Sequence, residues 1–183
     1  MACTGRPLAS TTRIALLTGF LSLAAGAAVP LDAQVVPASR ATASALYVDG
    51  ELTESIWSRA EPIDEFLQRE PSEGTPPTFR TEARVAYDDS AVYVAVRAFD
   101  PQPDRITAFL TRRDVWSASD WIRVYLDSYH DRRSAYSFAV NPLGVKLDAY
   151  HFNDTDEDDT WDAVWQVAVS RDAEGWRAEF RIP

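Results

Sequence analysis

Two runs of alternating residues that flank a tight turn limit most strongly what this chain can fold into. Between Trp121 and Tyr129, apolar and polar side chains alternate with a period of two. The apolar positions are Ile122, Val124 and Leu126, and the positions between them are Arg123, Tyr125 and Asp127. A second alternating run holds Tyr136, Phe138 and Val140, and the sequence Asn-Pro-Leu-Gly follows it. Because Pro142 and Gly144 suit a tight turn, the pattern predicts antiparallel strands with one buried face each.

The rest of the chain repeats this pattern of short runs between glycine, proline and aspartate. Residues 145–152 continue from the Asn-Pro-Leu-Gly turn as a hairpin, and two more hairpins are predicted at 81–87 with 91–99 and at 161–170 with 176–182. Shorter strands are predicted at 46–48, 64–68 and 105–111. Residues 52–60 predict a short helix with Thr53 as its N-cap and Leu52 packed on Trp57. The sequence therefore predicts an all-β protein, a sandwich or barrel of about eight or nine antiparallel strands with one short N-terminal helix.

The first 33 residues have the pattern of a secretory signal peptide. Arg6 and Arg13 precede the apolar stretch 14–28, which is short and rich in glycine and alanine. We expect cleavage after Ala33, with cleavage after Ala28 or an uncleaved anchor as alternatives. Residues 34–45 are interpreted as a linker and residues 46–183 as the domain, in a protein that is exported to the periplasm, associated with the outer membrane, or secreted. The one cysteine, Cys3, lies in the leader, so a packed core rather than disulfides must stabilise the domain.

Charge and composition narrow the classes of partner. The chain has 18 basic and 28 acidic residues, a net charge of −10. Removal of residues 1–33 leaves 16 basic and 27 acidic residues, a net charge of −11. This excess of negative charge argues against nucleic acid or an anionic membrane surface as the partner. The six tryptophans all lie between Trp57 and Trp176 and fit a surface that stacks on sugar rings, although some must belong to the core.

Motifs of common enzyme classes do not occur in the sequence. There is no GxSxG, no Walker loop, no GxGxxG, no CxxC and no HExxH. His130 and His151 are the only histidines, and we interpret both as structural or solvated. Carboxylates are abundant, but no spacing singles out the pair that glycoside hydrolysis requires. The chain is therefore predicted not to be an enzyme.

Two charged segments are candidates for binding. Asp154, Asp156 and Asp158 alternate like the first ligands of an EF-hand loop, but Asp159 stands where the loop needs glycine and Trp165 where it needs glutamate. A looser structural calcium site at these three aspartates and a solvated acidic loop both remain open. Arginines adjoin aspartates in the segments 112–114 and 131–133. They form either exposed salt bridges or a polar cluster that holds sugar hydroxyls beside a tryptophan.

Five segments together resemble a known family. They are DGELTESIW (49–57), AYDDSAVYVAVRAFD (86–100), the stretch from RRD to VKLDAY (112–150), TWDAVWQV (160–167) and GWRAEFRIP (175–183). They resemble a carbohydrate-binding module of family 9, and more narrowly the module at the N-terminus of bacterial exported proteins that continue as a predicted outer-membrane β-barrel region of unknown function. Thr53 departs from the aspartate usual in the family. The chain is expected to be truncated after Pro183, because the family's sequence continues there.

The resemblance implies a β-sandwich that binds polysaccharide chains or their ends, of the xylan or glucan class, with calcium as a structural aid. It implies an association with carbohydrate catabolism and with a downstream barrel or a glycoside hydrolase domain as partner. Stacking is assigned to Trp116 and Trp161, which border loops, whereas Trp165 and Trp176 are assigned to the core. Hydrogen bonds to the sugar are assigned to four residues: Arg113, Asp114, Asp120 and Asn141. The alternative is a structural periplasmic domain that packs on the downstream barrel and has lost its sugar site.

Overall fold

The computed structural model describes residues 35–42 and 46–183. The predicted signal peptide, with its cleavage sites and its alternative as an uncleaved anchor, lies outside the described residues. No helix within the described ranges is both long and apolar enough to cross a membrane.

Within these ranges, nine strands and two short helical segments make up the regular structure. The strands are β1 (Ser39–Arg40), β2 (Thr81–Tyr87), β3 (Val92–Phe99), β4 (Ile122–Leu126), β5 (Ala135–Val140), β6 (Lys146–Phe152), β7 (Asp156–Asp158), β8 (Gln166–Asp172) and β9 (Gly175–Ile182). The helix α1 spans Ser55–Arg59, and one 3-10 turn spans Pro103–Arg105. The prediction of an all-β chain with one short N-terminal helix is confirmed.

The strands form two sheets that pack face to face as a β-sandwich. One sheet has five strands in the order β1-β2-β3-β9-β8, and the other has four in the order β4-β5-β6-β7. Every pairing is antiparallel except the short parallel contact of β1 with β2. The three predicted hairpins are present as β2–β3, β5–β6 and β8–β9. At the turn of β5–β6, Gly144 adopts φ 79° and its N–H donates to the Asn141 carbonyl at 2.9 Å.

Several weaker strand predictions are wrong. Residues 46–48 and 105–111 are not strands, and the predicted edge strand at 64–68 is reduced to a single bridge between Ile63 and Ala83. Two strands occur where none was expected: β1 lies inside the segment interpreted as a linker, and β7 lies inside the predicted acidic loop. These segments are short and lie at sheet edges or in loops, so the neighbouring strand and not the local alternation decides whether they pair.

The start of α1 also differs from the prediction. Glu54 rather than Thr53 is the N-cap residue, and no side chain caps the helix. The apolar stripe of the helix is nevertheless present, because Ile56 and Trp57 are both buried. Leu52 is half-buried against the same cluster as Trp57, as the predicted hydrophobic staple requires.

The main core fills the space between the two sheets. Val94, Val96 and Phe180 of the five-stranded sheet meet Phe138 and Val140 of the four-stranded sheet. Trp165 lies in this core with its ring parallel to that of Phe180, 5.8 Å between centroids, and Trp176 is buried in it as well. The assignment of Trp165 and Trp176 to the core is thereby confirmed.

A second apolar layer covers the outer face of the five-stranded sheet. Ile56 and Trp57 of α1 pack there on Ala86, Tyr93 and Ala95, which point away from the main core. We call residues 46–60, which run across this face, the cover segment. The five-stranded sheet is therefore apolar on both faces, which explains the near-continuous apolar run in β3.

A single carboxylate ties the cover segment to β9. Glu179 is 0% exposed and accepts hydrogen bonds from the Trp57 indole N–H at 3.1 Å and from the backbone N–H groups of Asp49 and Gly50 at 3.1 and 3.3 Å. Burial raises the pKa of Glu179 to about 7, against the opposing effect of these donors. Gly50 adopts φ 84° and lies so close to the backbone of Val169 that a side chain would not fit.

Candidate functional site

Among residues 35–42 and 46–183, no segment covers the outer face of the four-stranded sheet as residues 46–60 cover that of the other sheet. Because side chains alternate along a strand, the residues between the core positions of β4 point to this face together with their partners on β5, β6 and β7. The row contains Arg123, Tyr125, Ser137, Leu147, Ala149, His151 and Glu157. We call this surface the open face.

Polar and aromatic groups on the open face contact one another across the strands. The rings of Tyr125 and His151 lie 5.1 Å apart between centroids, and His151 Nε2 shares a hydrogen bond of 2.8 Å with the Ser137 hydroxyl. Glu157 lies 3.7 Å from His151 Nδ1 and 3.9 Å from the Arg123 guanidinium. The Arg123 guanidinium also donates to the Tyr125 hydroxyl at 3.3 Å. These contacts limit the rotamers of the five side chains and hold their polar atoms on one surface.

A small depression of about 100 Å³ lies on this face, and Trp116 forms one of its walls. The Trp116 side chain is a large one, and 67% of the residue is exposed. Asp114, Glu157 and Asp159 contribute carboxylates to the same depression, and Arg123 contributes a guanidinium. An exposed aromatic plane beside several charged hydrogen-bonding groups can stack on a sugar ring and bind its hydroxyls at the same time.

The loop that carries Trp116 is fastened to β6. The Asp114 N–H donates to the Lys146 carbonyl at 3.0 Å, and the Asp114 carboxylate accepts the Asp148 N–H at 3.3 Å. Asp114 adopts φ 58°, in the left-handed region. Burial raises the pKa of Asp114. Since β7 pairs only with residues 150–152 of β6, the Asp114 side chain occupies the strand edge that β7 leaves free.

Arg113 stands behind this loop as the centre of an ion-pair cluster. Its guanidinium pairs with Asp114 at 3.2 Å, with the fully buried carboxylate of Asp148 at 2.6 Å, and with Asp162. It also donates to the Ala163 carbonyl at 2.9 Å. Arg113 therefore binds protein groups in this structure and positions the Trp116 loop, which replaces its predicted role as a direct sugar contact.

Asn141 is the clearest correction among the predicted sugar contacts. It is 0% exposed, and both ends of its amide are used inside the protein. The amide nitrogen donates to the Phe109 carbonyl at 2.9 Å, and the amide oxygen accepts the N–H groups of Leu143 and Val145 at 3.0 Å. Asn141 builds the turn of the β5–β6 hairpin and cannot reach a ligand on the surface.

Trp161 and Asp120 also lie away from the open face. Trp161 is half-buried, and its ring lies 4.7 Å from that of Tyr136 and 6.0 Å from that of Phe138, on the core side of the sheet. Asp120 is tied to Thr107, whose N–H donates to its carboxylate at 2.9 Å. Of the six predicted sugar contacts, only Trp116 and Asp114 line the depression on the open face.

The other residues of the open face are ones that the sequence prediction left unassigned. Arg123 and Tyr125 stood out only as the outward positions of an alternating strand, and His151 was interpreted as structural or solvated. The alternation itself was the usable signal, because every second residue of β4, β5 and β6 shares one face. What it could not indicate is which of the sheets has its outer face covered.

Some carboxylates of the protein lie close enough together to bind one cation between them. Among the described residues, two groups bring three carboxylates within 4.8 Å of one another, Asp49–Glu54–Glu179 and Asp114–Asp148–Asp162. In the second group the Arg113 guanidinium already supplies the positive charge. The predicted calcium ligands Asp154, Asp156 and Asp158 do not form such a group. Asp158 accepts hydrogen bonds from the N–H and the hydroxyl of Thr160, and calcium binding by the three aspartates stays a prediction.

The fold defines a two-sheet β-sandwich module, and comparison with family models gives its family. Residues 48–183 match the model described as "Carbohydrate family 9 binding domain-like", so the chain belongs to this family. The resemblance stated from the sequence is thereby confirmed, while the outer-membrane barrel context stays a prediction. Comparison with curated protein sequences gives no significant match.

Solved structures agree with the sandwich fold. A family 9 carbohydrate-binding module from Caldicellulosiruptor kristjanssonii is similar both in its complex with glucose (TM-score 0.54, 19% identity, 79% of this chain and 66% of that chain) and in its complex with cellotriose (TM-score 0.55, 18% identity, 80% and 67%). A protein from Bacteroides uniformis ATCC 8492 matches with a TM-score of 0.57 at 14% identity, over 80% of this chain and 71% of that chain. The chain thus spans slightly less than two thirds of the first of these structures.

Proposed function

We propose that this chain is a saccharide-binding module that takes a polysaccharide chain or chain end of the xylan or glucan class on the open face. The observation that carries the proposal is Trp116, a largely exposed indole beside the carboxylates of Asp114, Glu157 and Asp159. An exposed indole offers a flat apolar surface on which the apolar face of a pyranose ring can stack. The surrounding charged groups would then accept and donate hydrogen bonds to the sugar hydroxyls.

Two features support a saccharide ligand. The chain belongs to a family of carbohydrate-binding domains, and the similar module from Caldicellulosiruptor kristjanssonii binds glucose and cellotriose. The depression beside Trp116 is small, about 100 Å³, so a sugar ring would lie on it rather than be enclosed by it. We propose that the module itself is non-catalytic and that any glycoside hydrolase activity belongs to an attached or partner domain.

Calorimetric titration of the chain with glucose, cellotriose and xylotriose tests the proposal. We expect binding to at least one of them and a loss of about fivefold or more in affinity on Trp116→Ala, because a stacked aromatic contributes about 1 kcal/mol or more. Tyr47→Ala is the matched control, since Tyr47 is a similarly exposed aromatic (70%) in the cover segment on the other side of the sandwich. No heat with any glycan, or an equal effect of the two variants, would contradict the proposal.

A structural role is the second candidate, and an apolar opening between the sheets favours it. The opening has a volume of about 790 Å³ and is lined by Leu126, Tyr136 and Trp161 on one side and by Val85 and Ile182 on the other. A domain that packs on another polypeptide, such as the barrel region expected downstream, would cover these side chains. Strong binding of a hydrophobic dye to the chain, together with no binding of any glycan, would favour this role over saccharide binding.

Export is proposed from the leader in the sequence. If residues 1–33 are a signal peptide, the protein recovered from the periplasm or medium of a bacterial host should begin at Gln34, or at Val29 if cleavage follows Ala28. N-terminal sequencing distinguishes these products from an uncleaved chain. A full-length chain in the cytoplasmic fraction would contradict export.

We also propose that a bound calcium ion stabilises the fold, and thermal unfolding tests this. A thermal unfolding midpoint that rises with calcium and loses this rise in Asp158→Asn would support a site at the acidic segment around β7. A rise that persists in Asp158→Asn would place the ion elsewhere.

A further inference from the structure

The open face continues beyond Trp116 into a second and larger depression of about 500 Å³. Glu157 lines both depressions, and the Tyr125–His151 pair lies in the wall of the second. At the far end of this second depression stand three arginines, Arg69, Arg132 and Arg133. We call this part of the surface the arginine end.

The guanidinium groups of the arginine end have no carboxylate partner among the described residues. Ion pairs of the described chain use other arginines, for example Arg97 with Asp172 and Arg177 with Glu51. The lining of this depression also holds three carboxylates, Asp127, Asp154 and Glu157, so its formal charge is zero in a protein whose net charge is −10.

The turn that carries Arg132 and Arg133 is held rigidly by two aspartates. The Asp127 carboxylate accepts the N–H groups of Asp131 and Arg132 at 3.2 and 2.8 Å. The Asp131 carboxylate accepts the N–H groups of Arg133 and Ser134, both at 2.8 Å, and the Ser134 hydroxyl at 2.7 Å. Arg132 adopts φ 58°, a conformation that these bonds stabilise. The backbone of both arginines is therefore fixed before a ligand arrives, which lowers the entropy cost of binding.

The carboxylates in the same depression are largely engaged with other groups. Asp127 is used by the backbone of the turn, as described above. Glu157 faces His151 and Arg123 at 3.7 and 3.9 Å. Asp154 is the third carboxylate of the lining and is exposed to water. The guanidinium groups thus retain most of their capacity to bind an anion.

We propose that the arginine end binds the carboxylate of a uronic acid on the same saccharide whose neutral ring stacks on Trp116. A guanidinium offers two parallel N–H donors that match the two oxygens of a carboxylate, so arginine is the side chain best suited to this group. The proposal rests on the proposed function and specifies it further: the ligand is an acidic, uronate-bearing polysaccharide rather than a neutral one.

The dimensions of β4 allow one oligosaccharide to reach both depressions. Arg123 lines the depression beside Trp116, and Asp127 lines the depression with the arginine end. Four residues of an extended strand separate them, about 13 Å at about 3.3 Å per residue. A side-chain uronate carried a few sugar units from the stacked ring can span this distance.

The experiment compares neutral and acidic oligosaccharides on the full chain. Affinities are measured by calorimetry for a neutral xylo-oligosaccharide, for one that carries a glucuronic acid side chain, and for the same acidic compound with its carboxyl group reduced to an alcohol. We expect the acidic compound to bind about tenfold more tightly than the other two, since hydrogen bonds to a charged group are stronger than those to a neutral one. The double variant Arg132→Gln with Arg133→Gln should lose this preference and keep its affinity for the neutral compound.

The controls separate this proposal from the one on which it rests. Arg105→Gln changes an exposed arginine outside both depressions and should keep the preference of the unchanged chain for the acidic compound. Equal affinity for all three compounds, or a preference that survives in the double variant, would overturn the uronate site and leave saccharide binding standing. Absence of binding to every compound would instead contradict saccharide binding itself. A sulfated oligosaccharide that binds as tightly as the glucuronate would also overturn the carboxylate assignment, because it would indicate general anion attraction.

Discussion

The two outer faces of this sandwich are built by the same alternation and have opposite surroundings. On the five-stranded sheet, the outward side chains of β3 and β9 lie beneath the cover segment, and Trp57 and Glu179 are buried there. On the four-stranded sheet, the outward side chains of Tyr125 and Glu157 meet solvent, and exposed Trp116 lies beside them, although the small outward residues Ser137 and Ala149 are buried.

The comparison indicates that the covered face contributes mainly to stability, whereas the open face is available for binding. A tryptophan near a glutamate occurs on both faces, as Trp57 with Glu179 and as Trp116 with Glu157. On the covered face the indole N–H is bonded to the carboxylate and both groups are removed from water. On the open face the corresponding types of group remain available to a ligand, so changes there should alter binding with little change in stability.

The largest expected difference is between the two tryptophans. Trp57→Ala should lower the free energy of unfolding by about 4 kcal/mol, because it opens a cavity under the cover segment and removes a donor from Glu179. Trp116→Ala should change it by no more than about 0.5 kcal/mol, since the side chain is mostly exposed. Urea unfolding of both variants checks the pair. A similar loss of stability in the two would break the comparison.

The buried carboxylate of the covered face should make stability depend on pH. The pKa of Glu179 rises from 4.5 to about 7 on folding, so the protonated form favours the folded state. The resulting stabilisation is complete below about pH 4.5 and is lost as pH rises to about 7. This shift corresponds to about 3 kcal/mol. Urea unfolding from pH 4.5 to 8 should show this fall, and Glu179→Gln should flatten it. An unchanged pH dependence in the variant would exclude Glu179 as the cause.

Arg113 pairs with a buried carboxylate and lies next to the Trp116 loop, so its removal should lower both the stability of the protein and its affinity for saccharide. Arg113→Met leaves the buried carboxylate of Asp148 without its cation, which should lower the free energy of unfolding by about 2 kcal/mol. The Trp116 loop is fastened next to this ion pair, so saccharide affinity should fall as well. Arg112→Met, one residue earlier and exposed, is the matched control and should do neither. Intact affinity in Arg113→Met would mean that the ion-pair cluster does not position Trp116.

The smallest effect on stability is expected at Glu157. Its contacts with Arg123 and His151 are long and partly exposed, so Glu157→Gln should change the free energy of unfolding by less than about 0.5 kcal/mol. Saccharide affinity should nevertheless fall several-fold, because a charged acceptor becomes a neutral one. Calorimetry with the exposed control Glu65→Gln checks this. Unchanged affinity in Glu157→Gln would remove this carboxylate from the binding surface.

The sequence predicted the fold further than it predicted the site. The hairpins β2–β3, β5–β6 and β8–β9 could be placed because each joins two alternating runs through a turn of characteristic residues. β1 and β7 could not be placed, since their few residues pair only because a neighbouring strand offers a free edge. The residues of a hairpin are enough to predict that hairpin, whereas the pairing of a very short edge strand depends on the sheet that has already assembled beside it.

For the site, residue type alone was a weak guide. Asn141 and Arg113 have side chains that suit sugar hydroxyls, yet the fold uses both internally, one to close a turn and one to neutralise Asp148. Trp116 is exposed, as expected for a tryptophan in a charged loop with little apolar surface around it, and its role as a sugar contact stays a prediction. Arg123 and Tyr125 were visible as outward positions of β4, but only the structure indicates that nothing in the described chain covers them.

The bond between Trp57 and Glu179 joins residues 122 positions apart in the chain. During synthesis, the cover segment leaves the ribosome long before the strand that supplies its carboxylate. The indole of Trp57 and the N–H groups of Asp49 and Gly50 therefore remain without their carboxylate partner, exposed to water or bound by a chaperone, until β9 emerges. The open face requires no such delay, because β4, β5 and β6 follow one another within about thirty residues and can pair as soon as they appear.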